Sequence, residues 1–200
     1  MASRTARIVL EARQTEPDRK LPRLRLLGAD FLHSNQTVAT KDAERDQAWL
    51  CRYLDEASNQ SLADYAMLHV VGQDDVDRSR ASGGWLTSSG STKLGDYNLF
   101  PTTHRLRGGL PNVFWSTVLG RPYVAIMEHK RLLSCPGADV VELEYGGIRI
   151  TSHLPFWAAR TEPEKFEAWR DAVREHIGRE FFVDAPIYGL TARVPQFDWA

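Results

Sequence analysis

The sequence predicts an α+β domain, with three to four helices packed on a mainly antiparallel sheet. Three stretches carry that expectation. Residues 139–153 alternate apolar and polar side chains about Gly146-Gly147, the pattern of a hairpin. Residues 162–177 place Phe166, Trp169, Val173 and Ile177 on one helical face. Residues 41–58 repeat Leu50, Tyr53, Leu54 and Ala57 at the same period. A 200-residue chain fits a single globular domain, here 1–200, that is large enough to bury a core without a disulfide or metal staple.

Taken in order, residues 6–12 read as a first strand, followed by the polar stretch Gln14–Lys20 with Pro17. Residues 21–33 fit two patterns. Leu24, Leu27 and Phe31 suit a helix face, whereas Leu24 and Leu26 alternate with arginines as in a strand. Thr40 is a candidate N-cap for helix 41–58, and Asp42 and Glu44 complement the positive end of its dipole. Trp49 and Tyr53 form an i,i+4 pair on that helix. Residues 64–72 read as a buried strand closed by Gly72.

Residues 73–95 then form a long Gly/Ser-rich loop. Aromatic residues resume at Tyr97 and Phe100. Residues 112–118 suit a strand or a helix start. Pro122 fits the first turn of a helix reaching Ser134, which Cys135-Pro136-Gly137 stops. The 140–152 hairpin is expected at the centre of the sheet, with both glycines of a two-residue turn at positive φ. Thr161 and Glu164 match a capping box for the last helix, and Gly178 matches its C-terminal cap. The apolar tail, with Phe181-Phe182-Val183 and Ile187-Tyr188, is expected to dock on the body.

Composition narrows the function. The net charge of −1 gives no global basic excess, so nucleic acid is not an expected partner. The arginines between Arg4 and Arg25 read as a solvated face. No apolar run reaches the ~20 residues of a membrane span, and no charged-then-apolar leader is present, so the expected compartment is the cytoplasm. Cys51 and Cys135 lie among leucines and read as inert buried thiols.

Motifs for chemistry fail on spacing. Gly90-Ser-Thr-Lys93 reverses the order that a phosphate loop needs, so no nucleotide cofactor is expected. His33, His69, His104, His129, His153 and His176 are scattered without ligand spacing, so no metal is expected either. His69 reads as a core residue. Glu142 and Glu144 share a strand face and read as surface charge. No nucleophile elbow occurs, and no catalytic residue is assigned.

A partner surface is the favoured reading. Trp85 sits in the Gly/Ser loop, where a core residue is not expected, and Trp, Tyr and Arg carry most interface energy. Trp85, Tyr97 and the carboxylates Asp74, Asp75 and Asp77 are the candidate partner-binding residues, the acidic groups steering a basic partner. Tyr123, Phe156, Trp157 and Trp199 are further aromatics near turns, whereas Trp115 and Trp169 read as core. The run Asn112-Val-Phe-Trp-Ser-Thr-Val-Leu-Gly-Arg-Pro-Tyr-Val, the Val140–Ser152 hairpin, the 162–177 helix and Phe181-Phe182 resemble parts of small stand-alone bacterial proteins. Some of those are immunity proteins of polymorphic or contact-dependent toxin systems. The resemblance covers the C-terminal half and implies a cytoplasmic inhibitor that clamps or occludes a toxin. Two other classes stay open: a small hydrolase or transferase with a site between loop 82–95 and His104, Arg105 and Glu142, and an oligomeric assembly component.

Overall fold

A computed structural model of the chain describes residues 6–14, 20–28, 34–37, 43–72, 106, 108–183, 189 and 191–196. Residues 6–14, 20–28, 34–37, 43–46, 70–72 and 160 are described by their backbone alone. The strands are β1 (Ala6–Gln14), β2 (Lys20–Gly28), β3 (Ser34–Thr37), β4 (Tyr65–Gly72), β5 (Ser116–Leu119), β6 (Ala138–Glu142) and β7 (Ile148–Ser152). The helices are α1 (Ala43–Ser61), α2 (Arg121–Met127), α3 (His129–Leu133), α4 (Ala158–Thr161) and α5 (Pro163–Ile177). The strands form one sheet in the order β3-β2-β1-β4-β5-β7-β6. Every neighbouring pair is antiparallel except β1 with β4. The α+β class and the mainly antiparallel sheet are therefore as the sequence predicts.

The two layers follow from register and alternation. Ser116 pairs Thr151, Val118 pairs Arg149 and Leu68 pairs Ser116, so these side chains share one face. That face meets α1, whose Leu50 and Leu54 are buried and whose Asp55 bonds Arg149. The opposite face carries Tyr65, Met67, His69, Thr117, Ile148 and Ile150. There α5 packs Phe166 against the His69 ring, with Val173 and Ile177 buried further along the helix. Both faces of β7 are thus covered, which is why all five of its residues are buried. Burial on two faces erases the polar-out half of the alternating pattern.

Of residues 21–33, which fit both a strand and a helix, 21–28 belong to β2, paired with β1 through nine positions, and 29–33 lie outside the described residues. A long antiparallel ladder outweighs a marginal helical pattern broken by Gly28.

Other local expectations are corrected. The helix read from Pro122 to Ser134 is two helices, α2 and α3. Glu128 separates them at φ 64, a left-handed conformation that a continuous helix does not contain. The hairpin turn is longer than two residues. Gly146 N–H donates to Leu143 O (2.8 Å) and Leu143 N–H to Gly147 O (2.8 Å), and only Gly146 has positive φ, at 81. This is a type I turn closed by a left-handed glycine, the three-residue hairpin solution. Gly147 instead lies against the Tyr145 hydroxyl, where a Cβ would sit 2.5 Å away. The hairpin is at the edge of the sheet, not its centre; the central strand is β4.

Thr161 does not cap α5. It ends α4 with its hydroxyl on Trp157 O, and Glu162 occupies the N-cap without a side-chain bond. Gly178 does close α5, at φ 121 with its N–H on Arg174 O. The tail docks where it is described: Phe181 and Phe182 are buried, and Leu110 pairs with Phe182 in a parallel bridge. Thr40 and loop 73–95 lie outside the described residues.

The β4–β5 junction depends on one glycine. Gly120 N–H donates to Asp64 O at 2.8 Å, and a Cβ at 120 would overlap Ala63 O and lie 2.7 Å from Asp64 Cα. Backbone cannot rotate aside as a flexible side chain can. Gly120→Ala is expected to destabilise the fold by about 3 kcal/mol, as overpacking against rigid atoms does. Urea unfolding checks this; a loss below about 0.5 kcal/mol, the range of neutral surface changes, contradicts the close approach.

Candidate interaction surface

The face between α1 and the sheet holds a polar cluster. Arg149 is 5% exposed and donates from Nε to Asp55 Oδ1 at 2.7 Å. Its Nη1 bonds Thr151 Oγ1 and lies 3.8 Å from Asp139 Oδ2. Thr151 Oγ1 is also 2.8 Å from Ser116 Oγ. The alternation that puts Arg149 and Thr151 on one side of β7 brings them under Cys51 and Asp55, one helical turn apart on α1. Burial pushes the Cys51 thiol up, against the opposing pull of Arg149 and a Thr151 hydrogen bond. Burial likewise raises Asp55, more than Arg149 lowers it. Desolvation therefore outweighs attraction here, and the cluster clamps α1 to β7 rather than activating a thiol.

The other titratable groups have separate structural settings. His69 is fully buried, its Nδ1 accepting from Trp115 N–H at 3.5 Å, between the rings of Phe114 and Phe166. It is the core histidine expected from sequence. His129 pairs with Glu142 at 3.3 Å on the surface, not with its neighbour Glu128. His176 approaches Arg131 O and Ser134 Oγ. Glu144 falls in the hairpin turn beyond the end of β6, so it does not share a strand face with Glu142. Cys51 and Cys135 are free thiols, and burial pushes Cys135 up to about 12. Among the described residues no three His, Cys, Asp or Glu side chains converge as a metal set, and no helix is long and apolar enough to cross a membrane.

The aromatic candidates divide. Tyr123 and Phe156 are buried in the core, so neither serves an outer surface. Phe156 packs edge-on against Trp115, and Trp115 Nε1 donates to Leu154 O at 2.9 Å. Trp169 is in the core as expected, its Nε1 donating to Pro136 O, and Trp157 is half-buried. Asp74, Asp75, Asp77, Trp85, Tyr97, His104 and Trp199 lie outside the described residues.

An exposed aromatic feature does remain. Trp49, 36% exposed, stacks on Tyr53 with ring centroids 5.6 Å apart and planes 26° apart. The pair flanks the buried Leu50–Leu54 stripe, and exposed Ala48, Arg52 and Glu56 continue the outer surface of α1. The i,i+4 spacing reveals the stack in sequence. Its outward position was less legible, because one helical step separates Trp49 from the inward Leu50. No family model matches the chain, and no curated protein or solved structure matches it significantly.

Two outcomes test the clamp and the thiol. Asp55→Ala is expected to cost about 3 kcal/mol, because it leaves the Arg149 charge buried without its closest anionic partner. Asp55→Ala with Arg149→Leu is expected to recover most of that loss in urea titrations; equal losses in both would contradict the clamp. The neutral Cys135 thiol favours the folded state fully below the unfolded value of 9.0, and this contribution is lost as pH rises toward about 12. At pH 8 Cys135 should resist iodoacetamide in the folded protein and react once urea is added, as read by mass spectrometry of tryptic peptides.

Proposed function

We propose that the chain is a non-enzymatic binding protein, most concretely a cytoplasmic immunity protein that inhibits a cognate bacterial toxin by direct contact. The observation that carries this reading is the stacked Trp49–Tyr53 pair on the outer surface of α1. An indole held against a neighbouring ring loses little side-chain freedom on association, which favours its use as an anchor. The Arg149–Asp55 bond fixes the helix beneath it, so the anchor is presented on a rigid element. Trp85 and Tyr97 would add aromatic contacts, and Asp74, Asp75 and Asp77 would steer a basic toxin toward them.

The test is first to look for a toxin gene directly upstream of this one and then to co-express the chain with its toxin domain, in cells that the toxin kills. The chain is expected to restore growth and to co-purify with the toxin. Trp49→Ala and Trp85→Ala should each weaken the complex by roughly 30-fold, about 2 kcal/mol, without changing the urea midpoint. Absence of both rescue and co-purification overturns the reading. Unchanged affinity in one variant removes that tryptophan from the surface.

A further inference from the structure

Among the described strands β6 is the last of the sheet, and its hydrogen bonding shows which of its peptide groups turn away from β7. At one end His153 N–H donates to Gly137 O (3.0 Å); at the other, Leu143 N–H donates to Gly147 O (2.8 Å). Antiparallel ladders alternate between residues that bond inward and residues that do not. Residues 137, 139, 141 and 143 therefore turn toward β7, in the register that pairs Asp139 with Thr151 and Val141 with Arg149. The N–H and C=O groups of Ala138, Val140 and Glu142 point the other way, off the edge of the sheet.

The side chains along this edge have a definite order. Val140 and Glu142 lie on the α5 face, and Asp139 and Val141 on the α1 face. The two valines are half-buried. The two carboxylates stand largely in solvent, with side-chain exposures of 65% for Asp139 and 55% for Glu142. Among the described residues, Asp139 has Arg149 at 3.8 Å and Glu142 has His129 at 3.3 Å. A strand laid against β6 would meet one carboxylate on each face, three residues apart, with two apolar positions between them.

We infer that β6 is a docking edge for an extended basic segment of a protein partner, patterned cation–apolar–apolar–cation and added as a further strand. Main-chain bonds to residues 138, 140 and 142 would supply the affinity of strand addition. Lysine or arginine opposite Asp139 and Glu142 would supply register, since opposite charges directly across a ladder attract and like charges repel. A second copy of β6 fits poorly, because two such edges would bring four of these carboxylates to one seam. Charged residues on an edge strand also oppose indiscriminate pairing, so the feature that admits a basic strand excludes an apolar one. This goes beyond the inhibitor reading and does not require that the partner be a toxin.

The experiment uses the full chain labelled with 15N and two capped hexapeptides, Thr-Lys-Val-Val-Lys-Thr and Thr-Glu-Val-Val-Glu-Thr. The lysine peptide is expected to shift the amide signals of Ala138, Val140 and Glu142 saturably, more weakly as salt rises. The glutamate peptide should bind roughly tenfold more weakly or worse. The double variant Asp139→Lys with Glu142→Lys should invert that preference. Val140→Pro should abolish binding while leaving the inward ladder intact, because only an outward N–H is lost. Unchanged β7 amide shifts report that intact ladder, and if Val140→Pro unfolds the charge-reversal variant alone decides. Equal binding of both peptides, no saturable shift at millimolar peptide, or shifts of these amides on self-association without peptide would overturn the proposal. Rescue from a toxin is a separate readout, so either idea can fail alone.

Discussion

A guanidinium buried between a helix and a strand, bonded to a carboxylate 94 positions away in sequence, fixes how α1 seats on the sheet. Arg149 carries its charge into an apolar layer, where an ion without partners is heavily penalised. Asp55 answers from α1, Thr151 from the same strand, and Asp139 from the strand beyond. The arrangement is not a strong source of stability, because desolvating two ions offsets most of their attraction. Its effect is on specificity. The observed seating of α1 places the Asp55 carboxylate 2.7 Å from that arginine.

This constraint explains how the outer surface of the protein is set. The inner stripe of α1 is used by Leu50, Leu54 and the Arg149 contact, so Trp49 and Tyr53 are left at its border, stacked and partly in solvent. On the far face, α5 fills the space above His69 with Phe166. The rings of Phe166 and Phe182 also receive the guanidinium groups of Arg170 and Arg174, an arrangement in which charged heads cover aromatic faces. Among the described strands, β3 and β6 end the sheet, and β6 is the edge on its C-terminal side.

Much of the fold was legible in the sequence. Residues 6–12, 64–72 and 139–153 were readable as strands because β-branched residues and turn glycines mark them, and α1 and α5 because their apolar residues recur with helical period. What the sequence hid was set by tertiary contacts. The alternation in residues 21–27 resolves to a strand only because β1 offers a nine-position ladder. The break at Glu128 leaves no glycine or proline as a signal. Thr161 and Glu164 have the spacing of a capping box, yet α4 takes Thr161 for its own last turn. The edge position of the hairpin follows from strand order, which local periodicity does not encode. As for the surface, the Trp49–Tyr53 spacing was visible, whereas the partnership of Arg149 with Asp55 joins distant residues that no local pattern links.

The parallel pairing of β1 with β4 has a kinetic consequence. β1 meets β4 in parallel, so β2, β3 and α1 must all be accommodated in the connection between them before those two strands register. Loop closure over that length is slow compared with forming the β6–β7 hairpin, which needs only five linking residues. During synthesis the N-terminal β1–β2 ladder would emerge first, with the β1 edge waiting for β4. The described chain is thus poised to assemble from both ends toward β4, and the moment at which that strand is captured divides an exposed ribbon from a closed sheet.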